Sequence, residues 1–170
     1  MDSGRRAFLR GALLTSAGRQ SEKKRQHPLG PPPPWHKVLP LAEHCPGCAH
    51  PCTDACEPQI IRLHPPDHAL AGIPYLDFGR GGCTFCQACV EACPLDIDTS
   101  VTDRPVPGKA QLNRKTCIAW QDVICMTCSD TCTYDAITTT YQRRAQVNAD
   151  SCTGCGMCVS TCPVDALTIT

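Results

Sequence analysis

Sixteen cysteines in a chain of 170 residues fall into four groups of four: Cys45, Cys48, Cys52, Cys56; Cys83, Cys86, Cys89, Cys93; Cys117, Cys125, Cys128, Cys132; and Cys152, Cys155, Cys158, Cys162. Thiolates are soft donors, which select zinc or iron–sulfur clusters over hard cations. The second and fourth groups read CTFCQACVEACP and CTGCGMCVSTCP, the C-x2-C-x2-C-x3-C-P spacing that holds [4Fe–4S] clusters. Three sulfurs on one tight loop can converge on three irons of a cubane. The fourth begins a helical turn leading away, and it commonly ligates the other cluster of a pair. Pro94 or Pro163 then helps to turn the chain.

The other two groups depart from this spacing. HCPGCAHPCTDACEP has one extra residue between Cys48 and Cys52, with Glu57 in place of the proline. CIAWQDVICMTCSDTC has seven residues between Cys117 and Cys125. A longer loop can still return its sulfur to the same cubane. All sixteen cysteines are therefore the predicted iron ligands, for four clusters and at least three. A disulfide scaffold also uses an even cysteine count but has no reason to repeat a 2-2-3 spacing, and it belongs to secreted chains. Zinc sites usually split their ligands into two separated C-x2-C pairs.

With every iron held by cysteine, none is left open for a substrate, which predicts an electron carrier and not an enzyme. His27, His36, His44, His50, His64 and His68 sit in no nucleophile or zinc-protease motif. His44 and His50 flank the first group closely enough to be spare ligands or tuners; solvated loop histidines are the plainer reading. Gly79, Gly81 and Gly82 form neither a dinucleotide nor a Walker motif, and let the backbone pass close to a cluster. Trp120, inside the long gap of the third group, is placed to shield a cluster.

The elements that must position these thiols repeat with them. First cysteines of successive groups are 38, 34 and 35 residues apart. Alternating stretches precede three groups at 74–78, 110–113 and 145–148, and read as strands. After the groups come Asp96, Asp135 and Asp165 at matching positions, then an apolar Ile97, Ile137 or Leu167; the chain finishes on a strand-like TIT. Each unit is thus strand, ligand loop, helical turn, strand. The predicted class is α+β: tandem dicluster ferredoxin folds built from four [4Fe–4S] units. Units one with two and three with four, or a nested pairing of one with four and two with three, both satisfy the spacing.

Composition sets the remaining bounds. Only 3 Phe, 3 Tyr and 2 Trp are available, so metal must replace part of a hydrocarbon core. No run approaches the ~18 apolar residues of a membrane helix. The net charge of zero divides sharply: residues 1–37 carry 8 Lys and Arg against 2 Asp and Glu, and the rest 8 against 14, which gives +6 and −6. Residues 1–40, with Pro31 to Pro34, are expected to be a basic, flexible, mostly unpacked arm, followed by units one and two at 41–100 and units three and four at 101–170. The acidic body argues against nucleic-acid binding through Lys23, Lys24 and Arg25.

Ser3 to Arg10, SGRRAFLR, is close to a twin-arginine export signature, although the apolar stretch after it, GALLTSA, is short for a signal. The bland alternative is a short basic helix or a disordered arm. Together with the proline run ending in Trp35, the four cysteine groups and above all the C-x-A-W-Q-x-V-x-C-x2-C-x3-C form of Cys117 to Cys132, this start makes the whole chain resemble the NapF-type ferredoxins associated with periplasmic nitrate reductase. The resemblance implies a cytoplasmic accessory protein that binds the molybdenum catalytic subunit before export and assists its maturation, by electron or cluster delivery. In that reading the arm is retained as a docking element. The alternatives are an electron-transfer subunit between a quinol or dehydrogenase donor and a molybdoenzyme and, more weakly, a cluster-storage or redox-sensing protein; the alternative location is periplasmic, by twin-arginine export.

Overall fold

The computed structural model describes residues 27–36, 38–100 and 106–170. The paired arginines, the Lys23 to Arg25 run and any cleavage point after Ala17 lie outside them. Prolines, glycines and cysteine loops keep the regular elements short. In chain order they are α1 (Val38–His44), a 3-10 turn (Cys45–Gly47), α2 (Pro51–Asp54), β1 (Ile61–Leu63), β2 (Pro74–Leu76), α3 (Ala88–Glu91) and β3 (Ala110–Leu112). A second 3-10 turn (Ile118–Gln121) follows, then α4 (Thr127–Thr131), β4 (Ile137–Thr139), β5 (Ala145–Val147), α5 (Met157–Ser160) and β6 (Leu167–Ile169). No helix among the described residues is long and apolar enough to cross a membrane.

The second half has a nested strand order. β3 pairs antiparallel with β6, setting Ala110 opposite Ile169 and Leu112 opposite Leu167. β4 pairs antiparallel with β5, setting Ile137 opposite Val147. Strand alternation points Leu167 and Ile169 inward and Thr168 outward. The first half has β1 against β2, Ile61 opposite Leu76, and no second pair among the described residues. The uniform repeat unit therefore needs correction: helix α1, not a strand, leads into the first group, and no strand forms at Ile97 after the second.

What stands beside β2 is a strap made of residues 27–36. Leu76 N–H donates to Pro31 O at 2.8 Å, and Pro33 and Pro34 are buried. Two histidines pin the strap. His64 Nδ1 donates to Ile73 O at 2.6 Å while its Nε2 accepts from Leu29 N–H at 3.2 Å. His68 Nε2 donates to His27 O at 3.0 Å while its Nδ1 accepts from Leu70 N–H at 3.0 Å. One donating and one accepting nitrogen per ring is the pattern of neutral imidazole. Burial lowers the pKa of His64, and its ring lies 4.6 Å from those of both His68 and Tyr75. His36 is buried too, donating Nδ1–H to Pro34 O at 2.7 Å. The expectation of an unpacked arm is thus corrected for 27–36. A proline run has few backbone donors of its own, so side chains distant in sequence must hold it.

One buried core runs through both halves. Ile60, Ile61, Leu76 and Phe78 from the first pack with Val106, Ile137, Leu167 and Ile169 from the second, and with Cys52, Cys56, Cys89, Cys128, Cys152 and Cys158. At its centre Gly156, with φ of 77°, meets Phe78 so closely that a Cβ would overlap the ring. Gly156→Ala should add left-handed strain to overpacking and destabilise the folded protein by about 3 kcal/mol. Gly47, where a Cβ meets nothing within 4 Å, supplies the control Gly47→Ala. Urea midpoints of the two holo-variants would test this; equal midpoints would show that the seam yields freely.

Candidate metal centres

In the first, second and fourth groups the phase of the third cysteine comes from one backbone device, a left-handed residue just before its helix; the third group lacks it, Met126 there having φ of −124°. In the second group Phe85 and Gln87 have φ of 56° and 65°; at the matching positions of the fourth stand Gly154 and Gly156, with φ of 76° and 77°. Gln87 and Gly156 each precede a helix whose second residue is the third cysteine, Cys89 in α3 and Cys158 in α5. Glycine reaches this conformation freely, whereas phenylalanine and glutamine are held there by the surrounding structure. In the first group the left-handed cap is His50, φ of 56°, and Cys52 is again the second residue of its helix, α2. The extra residue is therefore taken up at Ala49, ahead of the cap, and the phase of Cys52 is preserved. In the third group the long gap folds into the 3-10 turn closed by left-handed Asp122, and Cys128 is again second in its helix, α4.

The thiols gather in four sets, each taking its fourth member from the neighbouring group. Cys45 lies among Cys52, Cys48 and Cys93. Cys89 lies among Cys83, Cys56 and Cys86. Cys128 lies among Cys117, Cys125 and Cys162, and Cys158 among Cys155, Cys152 and Cys132. Of the two pairings compatible with the spacing, this is the sequential one.

Three cavities coincide with these sets. Cys56, Cys83, Cys86 and Cys89 line about 340 Å³ of atom-free space, Cys132, Cys152, Cys155 and Cys158 about 330 Å³, and Cys117, Cys125, Cys128 and Cys162 about 340 Å³, each counted with its open side. The walls are otherwise apolar or uncharged, with no carboxylate, lysine, arginine or histidine. None of the sixteen cysteines is in a disulfide. Among the described residues no three His, Cys, Asp or Glu side chains converge tightly enough for a single metal ion. Four thiols spread around a near-constant cavity fit a cluster instead, whose own irons and sulfides occupy the space between them.

The electrostatics agree with that donor set. Burial, reinforced by the neighbouring thiols, pushes Cys45 and Cys52 up to about 11, and Cys89 and Cys158 up to about 12. Without a cationic core these four thiols stay protonated at neutral pH; binding iron must displace their protons. Backbone N–H groups already point at sulfur: Phe85 at Cys83 and His50 at Cys48, both 3.4 Å, Ala110 at Cys152, 3.4 Å, and Ala166 at Cys162, 3.2 Å. Such donors stabilise ligating thiolates and tune a cluster. Two more have no partner: the buried Trp35 Nε1, of a residue in the wall of the second group's cavity, and the buried Thr153 Oγ1, in the fourth's. Sulfur acceptors would satisfy both.

Among the other residues singled out in the sequence, His50 and Gly82 change role. His50 is a half-buried brace whose Nε2 bonds Gly72 O at 2.8 Å, while His44 is exposed. Gly82 approaches the Met157 backbone, where a Cβ would stand 2.6 Å from N, and so serves contact between the halves. Trp120 packs against Cys117, Ala119 and Ala166 and donates Nε1–H to Ala145 O at 3.0 Å, with the Arg114 guanidinium 4.4 Å above its ring. Sequence reasoning missed Trp35, His64 and His68. The glycines at 154 and 156 were the available signal for the left-handed Phe85 and Gln87.

Comparison with known proteins agrees with this chemistry. Two models described as 4Fe-4S dicluster domains match residues 44–97 and 110–169. The Ferredoxin-type protein NapF of Escherichia coli K12 is 33% identical over 141 residues, 80% of this chain and 82% of the relative. The NapF of Haemophilus influenzae is 34% identical over 170 residues, 97% of this chain and 92% of the relative. The Ferredoxin-type protein NapG of Escherichia coli K12 is 28% identical over 193 residues, 96% and 83%. A chain with two dicluster domains, similar to NapF over most of its length, belongs to the NapF family of ferredoxin-type iron–sulfur proteins.

Proposed function

We propose that the protein is a four-cluster accessory protein that binds the catalytic molybdenum subunit of periplasmic nitrate reductase in the cytoplasm and assists its maturation by electron or cluster delivery. The observation that carries this reading is the match to NapF proteins across most of the chain, joined to four thiol sets that use all sixteen cysteines. In this reading Cys45, Cys48, Cys52 and Cys93 hold the first cluster, and Cys56, Cys83, Cys86 and Cys89 the second. Cys117, Cys125, Cys128 and Cys162 hold the third, and Cys132, Cys152, Cys155 and Cys158 the fourth. Residues 41–100 carry units one and two, 101–170 units three and four, and residues 1–40 serve as the docking arm, with 27–36 strapped to the body.

When bound, a [4Fe–4S] cluster supplies one-electron chemistry without an open iron. The chain excludes water with apolar cavity walls, directs N–H groups at the thiolates and buries the third cysteine of every group.

The test is deletion of the gene followed by purification of the nitrate reductase. An enzyme that is made but inactive, and restored by anaerobic incubation with this protein, is the expected result. A fully loaded and fully active enzyme would overturn maturation and leave the electron-transfer subunit.

A further inference from the structure

The two dicluster halves meet through their inner sites. We infer that the four sites stand in one row, in the order first, second, fourth, third, so that the contact between halves joins the second site to the fourth and the first and third are the ends. This rests on the cluster reading above.

Three kinds of observation place the sites. Within the first half, Cys89 of the second set lies near Cys52 of the first. Within the second half, Cys158 of the fourth set lies near Cys128 of the third. Between the halves, the Cys83 N–H donates to Cys155 O at 2.7 Å, so the ligand loops of the second and fourth sets are hydrogen-bonded to each other. The same seam holds Gly82 against Met157 and Phe78 against Gly156. Phe85, from the second loop, and Tyr134, two residues after Cys132 of the fourth set, stand edge to face with centroids 6.3 Å apart. The absence of a side chain at Gly82 and Gly156 is what lets the two loops approach this closely.

Chain order would give a different row, with the third site beside the second. Two single replacements in the full-length, anaerobically purified protein separate the two, read by EPR of the fully reduced state. Removing the fourth site with Cys155→Ser should leave the third without a neighbour, so that a sharp, magnetically uncoupled signal appears. Removing the third with Cys125→Ser takes away an end, and the remaining three should keep their split, fast-relaxing spectrum. Chain order requires the reverse, with Cys125→Ser releasing the isolated signal, and that result would overturn the row. Should Cys155→Ser fail to load, Gly82→Val opens the seam with all sixteen thiols in place. It should reduce the spectrum to the sum of two separately coupled pairs, and unchanged coupling would count against the inference. Iron and sulfide analysis of the unaltered protein comes first. Fewer than four clusters would defeat the cluster reading itself, whereas four clusters with the wrong coupling would defeat only their order.

Discussion

Stripped of iron and sulfide by chelator under reducing conditions, the protein should lose most of its far-ultraviolet circular dichroism and show no cooperative thermal transition. The six strands among the described residues have three residues each and the five α-helices there four to seven. Two-stranded pairs and helices of one or two turns are unstable in isolation. Here they are joined through a core in which Cys52, Cys56, Cys89, Cys128, Cys152 and Cys158 are members. Without its occupant each cavity loses the contacts that hold its four walls at a fixed distance, while chain entropy of about 1–2 kcal/mol per residue favours release. Structural zinc contributes apparent free energies of about 10–16 kcal/mol to small domains, and a cluster with four thiolates is expected to act on that scale. An apo-protein with native-like dichroism and a sharp melting transition would refute this.

Replacing Cys93 by serine should abolish the first site and spare the second, although Cys93 belongs in sequence to the second run. The expected loss is about a quarter of the iron, with an EPR and Mössbauer signature matching Cys48→Ser and differing from Cys86→Ser. The reason is geometric. Cys93 lies near Cys45 and Cys52, while Cys56, from the first run, lies near Cys83 and Cys89. In the reciprocal variant, Cys56→Ser should resemble Cys86→Ser. If Cys93→Ser instead removed the signal that Cys86→Ser removes, each run would be holding its own cluster and the exchange would be wrong.

The parts that were legible in the sequence are those with a repeating local cause. The alternation in AQLN and AQVN forms β3 and β5, and Ile137 and Leu167 begin β4 and β6. The left-handed Asp135 and Asp165 explain why aspartate recurs there: asparagine and aspartate tolerate this conformation better than most residues. Pairing of the units was not legible, because nested and sequential exchange use the same spacing and differ only in three-dimensional placement. The strap was not legible either. Its holding contacts join residues 35 and 41 apart, and a proline run carries no periodic signal of burial. His64 and His68 carry no motif, and the sequence PPDH around them is polar and breaks regular structure; only the backbone they hold explains their burial.

The strap also separates two events that a leader-like start would seem to couple. Its described contacts begin at His27, and Pro34 and Trp35 form part of the wall beside Cys56, Cys83, Cys86 and Cys89. A peptidase cutting after Ala17 would leave every one of those contacts in place. A cut between His27 and His36 would instead uncover the second cavity. Limited proteolysis within this ten-residue window thus becomes a means of exposing one metal centre to oxidants while the cavities of the third and fourth sets, which the strap does not line, keep their walls.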